Sequence, residues 1–182
     1  YHLNECLLEE MKLYKNNFDG FDTVYIGGGT PSILNAKQLG IILDGVYKTF
    51  SISEFSEITC EANPGDLSVN FLRSLRYTGV NRLNIGIQSI DNDLLSFLGR
   101  RHSASESIDA LENSRKAGFK NIGLDLIYGI PGQSIKHWLQ DLQKMLSFEP
   151  EHISCYELTI EHGTPFYRLF SNGNISMQKE DI

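Results

Sequence analysis

Hydrophobic positions along the chain form two kinds of run that alternate. Five short apolar or alternating runs are typical of β-strands; they lie at about Thr23–Gly28, Glu57–Ala62, Arg82–Gln88, Asn121–Ile127 and His152–Leu158. Amphipathic stretches separate these runs, and another stretch, Leu3–Tyr14, opens the chain with apolar residues on one helical face. Strands that alternate with helices at intervals of about 30 residues predict parallel β/α units.

Capping patterns mark where the predicted helices begin and end. Side chains that favour helix starts precede three of the amphipathic stretches: Asn35 with Gln38, Asp66, and Ser103 with Glu106. Glycine tolerates the left-handed conformation of a helix end, so Gly79 and Gly118 are predicted to end two of these helices.

Each predicted strand alternates between an apolar face and a small or polar face. The apolar face, which includes Ile58, Leu83 and Leu124, is expected to pack under the helices. The other face carries Tyr25, Gly27, Gly29, Thr59, Glu61, Asn63, Asn84, Gly86, Gln88, Gly123, Asp125, Ser154 and Tyr156. A closed eight-stranded barrel fills its interior with bulky apolar side chains. This pattern therefore predicts an open partial barrel whose interior holds a ligand.

Candidate chemistry concentrates at the carboxyl ends of the strands, where β/α barrels place their sites. A glycine cluster such as Gly27–Gly29 fits a tight turn and a ligand loop equally well. Glu61 and Asp125 lie among apolar residues, so each needs a cation, a hydrogen-bond donor or a ligand. Pairing with an arginine (Arg82, Arg100 or Arg101) is the alternative to a ligand role. Carboxylates suit ribose hydroxyls or an ammonium group, and an arginine suits a carboxylate.

Composition and charge exclude several classes of function. The net charge of −7, without a basic cluster longer than Arg100–Arg101, argues against a nucleic-acid-binding face. No apolar run approaches the length of a membrane span. The three cysteines, Cys6, Cys60 and Cys155, have no metal-ligand spacing and indicate reduced thiols in a cytoplasmic protein. The five histidines are scattered and are expected to be surface or packing residues.

The strand-end motifs, taken together, resemble a known family. In order and spacing they are similar to the oxygen-independent coproporphyrinogen III oxidase family of radical S-adenosylmethionine (radical SAM) proteins. The segments that carry the resemblance are Tyr25–Ser32 (YIGGGTPS), Glu61–Gly65 (EANPG), Asn81–Ser89 (NRLNIGIQS), Leu98–His102 (LGRRH) and Asp125–Gln133 (DLIYGIPGQ). They extend over nearly the whole chain.

The resemblance implies a fold and a cofactor site. The fold is α/β, a partial (β/α)6 TIM-like barrel of parallel strands whose first strand is missing. Residues 1–182 would form a single domain from the second to the sixth barrel strand, cut from a longer protein at Tyr1 and Ile182. The implied contacts with S-adenosylmethionine (SAM) are Gly28, Gly29, Thr30, Glu61, Gln88, Arg100, Asp125 and Thr159.

A [4Fe-4S] cluster is implied for the parent protein only. Its C-x3-C-x2-C segment would lie before Tyr1, so the chain holds neither cluster ligands nor assigned catalytic residues. We expect the chain alone to be inactive and to bind SAM weakly. A C-terminal domain would also be absent. The unpaired edge of the strand near Thr23 predicts self-association.

Two branches of the family differ in function. One decarboxylates coproporphyrinogen III oxidatively to protoporphyrinogen IX, and the other consists of HemW-type heme chaperones. Glu61–Pro64 and Ser154–Glu161 resemble the chaperone branch, which we favour. The implied partners are heme or a porphyrinogen and, for the parent protein, an electron donor to the cluster. An unrelated, metal-independent β/α barrel is a third interpretation.

Overall fold

The computed structural model of the chain describes residues 2–176. Five strands form one parallel sheet in the order β1-β2-β3-β4-β5. The strands are β1 (Phe21–Ile26), β2 (Ile52–Ala62), β3 (Arg82–Gln88), β4 (Asn121–Tyr128) and β5 (His152–Glu157). The helices are α1 (His2–Leu13), α2 (Ala36–Thr49), α3 (Val69–Tyr77), α4 (Asn92–Phe97), α5 (Ala104–Lys116), α6 (Ile135–Leu146) and α7 (Pro165–Ser171). Two 3₁₀ turns, Pro31–Ile33 and Pro64–Asp66, follow β1 and β2. The predicted single domain extends over residues 1–182, of which residues 1 and 177–182 lie outside the described part.

The sheet confirms the predicted parallel β/α order. β3 has the predicted bounds, β4 and β5 differ from prediction by one residue at their carboxyl ends, and β1 lies two residues earlier at both ends. β2 starts earlier than its apolar pattern indicated, at Ile52. The sheet does not close within the described residues, because β1 and β5 are its two edges.

The strand register places like residues beside each other across the sheet. Cys60 pairs with Leu83, and Leu83 pairs with Ile122, so one face presents a continuous apolar surface. The core lies between this face and the helices, where Leu83, Leu124 and Phe119 are almost fully buried. Truncating one such side chain to alanine would cost about 2–5 kcal/mol of folding free energy.

The predicted caps are confirmed at α2 and α5 and are wrong at α3. Asn35 and Ser103 each form a complete capping box. α3 is capped by Ser68, whose hydroxyl accepts from the Phe71 amide, and not by Asp66. The reason is that the chain after β2 continues through a 3₁₀ turn that contains Asp66, so the helix begins later. Gly79 and Gly118 have the predicted left-handed conformation, with φ of +106° and +92°.

Helix lengths and composition bear on membrane insertion. None of the helices in the described residues combines the length and the apolar character that a membrane crossing requires.

Candidate functional site

Side chains from the first four strands and their following loops line one cavity at the carboxyl edge of the sheet. Parallel register is the cause, because Glu61 pairs with Asn84, and Gly86 pairs with Asp125, one strand further along. The lining residues are Gly29, Thr30, Glu61, Ala62, Asn63, Asn84, Gly86, Gln88, Arg100 and Asp125. Six of the eight predicted contact residues therefore lie together. Gly28 and Thr159 are not among the residues that line the cavity.

The two acids of the cavity are held by neutral partners. The Tyr25 hydroxyl donates to Glu61 Oε1 at 3.0 Å, and Asn84 Nδ2 donates to Asp125 Oδ2 at 2.7 Å. Burial raises the pKa of Asp125 above its ordinary value; the Ser154 and Asn84 side chains oppose the rise, and the nearby Glu61 carboxylate adds to it. Burial and the bond to Glu61 raise the pKa of Tyr25 to about 12, so this hydroxyl remains a donor at neutral pH.

The sequence left open that Glu61 and Asp125 form ion pairs with an arginine, and the structure does not contain such pairs in the described residues. Among the described residues, neither Glu61 nor Asp125 forms an ion pair within 4.0 Å. Arg82 instead lies 3.9 Å from a Glu57 oxygen, on the same inner face but nearer the start of the strands. Arg101 lies 4.0 Å from Asp66 outside the cavity. The acids of the cavity are therefore not paired with an arginine within 4.0 Å in the described residues.

Arg100 is the cation of the cavity, and its guanidinium is only partly satisfied. Its Nη2 donates to the Gly86 carbonyl at 3.2 Å. Burial, with Arg101 nearby, lowers the pKa of Arg100. Of the buried side-chain polar atoms in the described residues, only Arg100 Nε and Asp125 Oδ1 lack a hydrogen-bond partner. An unsatisfied buried polar atom costs about 1–3 kcal/mol, so a ligand with a complementary acceptor and donor would gain free energy in this cavity.

Glycines on the inner face make room for these polar side chains. A Cβ on Gly27 would lie 2.8 Å from Glu61 Oε1 and 2.9 Å from a ring carbon of Tyr25. A Cβ on Gly86 would lie 2.8 Å from Gln88 Nε2 and 3.2 Å from Arg100 Nη2. The glycine pattern that predicted a wide interior therefore has a direct steric reason.

Gly28 and Gly29 are required for a different reason, which is backbone conformation. Their φ angles are +84° and +143°, and a Cβ at either position would meet nothing within 4 Å. The turn therefore leaves backbone open to close approach, and at Gly29 this backbone lines the cavity, as a ligand loop requires.

Gln88 occupies a strained position at the end of β3. Its φ is +68°, and the pairing register with β4 shifts between Gly86 and Gln88. A left-handed conformation costs a residue with a side chain about 1–2 kcal/mol. Bulges of this kind turn a side chain at functional sites, and here the turned side chain lines the cavity.

Three residues that the sequence did not predict as ligand contacts hold the polar groups of the cavity in place. Tyr25 and Asn84 hold the two acids, and their place on the polar face of the alternation was the available signal. His102 was expected to be a background residue, but it is buried and bonded to Asn63 and to the Ile87 carbonyl. Nothing local in the sequence indicates those two contacts.

The cysteines lie on three separate elements. Cys60 is buried in the core, whereas Cys6 on α1 and Cys155 on the edge strand β5 are exposed. Within residues 2–176, no group of three or more His, Cys, Asp or Glu side chains is arranged to hold a metal ion.

A family model and two related proteins assign the chain to the same family. Residues 4–145 match the model of the radical SAM superfamily. The chain is 38% identical to the heme chaperone HemW of Lactococcus lactis over 97% of its own length and 46% of the relative's. It is 40% identical to the Bacillus subtilis heme chaperone HemW over 87% of its length and 42% of the relative's.

A solved structure has the same fold. The Escherichia coli coproporphyrinogen III oxidase HemN, a radical SAM enzyme, superposes with a TM-score of 0.78 at 22% identity. The match covers 98% of this chain and 42% of the enzyme. The five strands are thus a half-barrel of the radical SAM type, as predicted. The chain spans less than half the length of the relatives it matches.

Proposed function

The chain belongs to the radical SAM superfamily, and we propose that its strand-end cavity binds the SAM of a longer protein of heme metabolism. The observation that carries the proposal is the pair of unsatisfied buried atoms, Arg100 Nε and Asp125 Oδ1, in one cavity. One is a cationic donor and the other an anionic acceptor. A ligand that satisfies both must carry an acceptor, for which a carboxylate suits an arginine best, and a donor or cation; SAM carries both.

The donor set of the cavity fits the remaining groups of SAM. Arg100 would take the carboxylate, and the two acids would take the ammonium group and the ribose hydroxyls. The Gln88 amide and the turn at Gly29 and Thr30 would contact the rest. Gly28 and Thr159 remain weaker predictions, because they do not line the cavity.

The chain's own role in the chemistry would be to bind, orient and shield the nucleoside. When bound beside a reduced [4Fe-4S] cluster, SAM supplies one-electron chemistry. We propose that the cluster ligands lie in a segment outside this chain, because Cys6, Cys60 and Cys155 stand on separate elements. The chain by itself, taken as one domain over residues 1–182, would then be inactive and bind SAM weakly.

Heme chaperoning is the function we propose for the whole protein. Support comes from the heme chaperones that match at 38% and 40% identity, whereas the coproporphyrinogen oxidase matches at 22%. The partners would be heme and an electron donor to the cluster, in the cytoplasm. The second candidate is the oxidase itself, with a porphyrinogen substrate. Stable heme transfer by the full-length protein would support the first candidate, and decarboxylation of coproporphyrinogen III would support the second.

The SAM proposal can be tested by an NMR titration of the chain, which resolves weak binding. We expect SAM to shift the amide signals of residues at the strand ends. Arg100→Met should weaken binding about 10- to 100-fold, because a charge-assisted hydrogen bond is worth about 1.5–3 kcal/mol. Arg101→Met is the matched control, since Arg101 is exposed and outside the cavity. Equal effects of the two variants, or no shifts at millimolar SAM, would contradict the proposal.

A further inference from the structure

The strained residue of the cavity, Gln88, is fixed by neighbours on both sides of it in sequence. The peptide segment from Ile87 to Asp91 covers the last two residues of β3 and the link to α4, and its backbone turns sharply where φ of Gln88 is +68°. Gln88 Nε2 approaches Gly86 from the side where Arg100 Nη2 binds the Gly86 carbonyl. The direction of this segment therefore determines how the side chains of Gln88 and Arg100 lie in the cavity.

His102 fixes the segment at Ile87. This side chain, only 4% exposed, places Nε2 at 3.1 Å from the Ile87 carbonyl and Nδ1 at 2.8 Å from the Asn63 side chain. A carbonyl only accepts, so Nε2 carries the proton. Burial lowers the pKa of His102, and the Asn63 atom that Nδ1 contacts is the side-chain oxygen Oδ1. His102 thus joins the ends of β2 and β3.

Asp141 fixes the segment at Ser89 and Ile90. It is 3% exposed and lies on α6, far along the chain from its partners. Its Oδ2 accepts from the fully buried Ser89 hydroxyl at 2.6 Å and from the Ile90 amide at 3.3 Å. Ser89 Oγ in turn accepts from the Asp91 amide at 3.1 Å. Three consecutive residues are therefore bonded, directly or through Ser89, to one carboxylate.

We propose that His102 and Asp141 are positioning residues of the SAM site, which hold Gln88 in its left-handed conformation without lining the cavity. The inference rests on the proposed function for the ligand's identity. The placement of Gln88 itself does not depend on that identity. Burying a carboxylate solely to hold a loop is costly, and burial raises the pKa of Asp141 accordingly. The hydrogen bonds from the Ser89 hydroxyl and the Ile90 amide, which both end at Asp141 Oδ2, offset part of the cost of burying the carboxylate.

The single accepting oxygen gives the test a conservative variant. In Asp141→Asn the amide oxygen can replace Oδ2 and keep both bonds, whereas Asp141→Leu removes them with a larger side chain of similar branching. His102→Phe removes both ring contacts and keeps the ring volume. Met145→Ala is the matched control, because Met145 is fully buried on the same helix, one turn away, and belongs to the apolar core. It should lower stability without changing Gln88.

The experiment combines hydrogen exchange with NMR titration of SAM on the chain and its variants. In Asp141→Leu and His102→Phe, we expect hydrogen exchange at the amides of residues 89–91 to accelerate, relative to the original chain, at least tenfold more than exchange at the amides of β4. SAM affinity should fall at least tenfold in both variants. Asp141→Asn should restore both properties. Met145→Ala should lower the melting temperature with SAM affinity within twofold of the original chain.

The two readouts separate the failure of this inference from that of the proposed function. If the unaltered chain binds SAM and Asp141→Leu binds equally well, the positioning role is wrong. If the chain does not bind SAM, the proposed function fails. Exchange at residues 89–91 then still decides whether the two side chains hold Gln88. Uniform acceleration across the sheet in Asp141→Leu, matching that in Met145→Ala, would also overturn the inference.

Discussion

Replacing Asp125 by asparagine should make the protein more stable and its SAM site weaker at the same time. The substitution keeps the side-chain shape, and the amide oxygen can still accept from Asn84 Nδ2. It removes a buried negative charge that lies near the Glu61 carboxylate. If Asp125 had only a structural role, the substitution would lower the stability of the fold or leave it unchanged, and SAM binding would not change.

The two effects have comparable size and opposite sign. Relief of burial and repulsion should stabilise the fold by about 1 kcal/mol, a typical gain at a functional site. This corresponds to a rise in melting temperature of about 2–4 °C for a chain of this length. Loss of one charge-assisted bond to a cationic ligand should weaken binding about 10- to 100-fold.

The pH dependence of the stability gain follows from the direction of the Asp125 pKa shift. Because the pKa is raised in the folded state, the folded chain binds the extra proton between the ordinary value of 3.8 and the raised value. Asp125 therefore lowers stability as the pH rises through that window. The advantage of Asp125→Asn should be full above the raised pKa and disappear below about pH 3.8.

Thermal unfolding at several pH values and NMR titration with SAM measure both effects. Asp109→Asn, at an exposed position on α5, is the control and should change neither quantity. The reasoning is refuted if Asp125→Asn destabilises the chain at pH 7 or if it binds SAM as well as the original chain does.

Three further predictions follow from the same geometry. Gly27→Ala should displace the Glu61 side chain and weaken SAM binding at least about tenfold. The control Gly40→Ala, on helix α2 and away from the cavity, should leave SAM binding unchanged. Equal SAM binding by both variants in the NMR titration would be evidence against the steric role of Gly27. SAM affinity should fall as the pH is lowered through the raised pKa of Asp125, and this dependence should vanish in Asp125→Asn; a pH-independent titration of the original chain would contradict it. The unpaired β1 edge should cause concentration-dependent self-association, which light scattering can measure; a monomer at all concentrations would oppose this.

Much of the fold could be predicted because the chain's local and tertiary signals agree. Alternation with period two separates Leu83 and Ile85 from Asn84 and Gly86, and parallel register then repeats the same separation on every strand. The strand ends meet at one edge for the same reason. Six of the eight proposed contact residues could therefore be placed in one cavity from the sequence.

The supports of the cavity could not be predicted because they depend on contacts between distant segments. Ser89 and Asp141 are 52 residues apart, and His102 and Asn63 are 39 apart. The bulge at Gln88 arises from these contacts, since glutamine has no intrinsic preference for a left-handed conformation. The cap at Ser68 was missed for a local reason, because an unrecognised 3₁₀ turn moved the start of α3 past Asp66.

The most direct test of the SAM site is a crystal structure of the chain grown with SAM at millimolar concentration. The account predicts density for the nucleoside inside the cavity, with its carboxylate within hydrogen-bond distance of Arg100 and a polar group bonded to Asp125 Oδ1. Density elsewhere on the molecule, or an empty cavity in which Arg100 and Asp125 bind only protein or water, would contradict it.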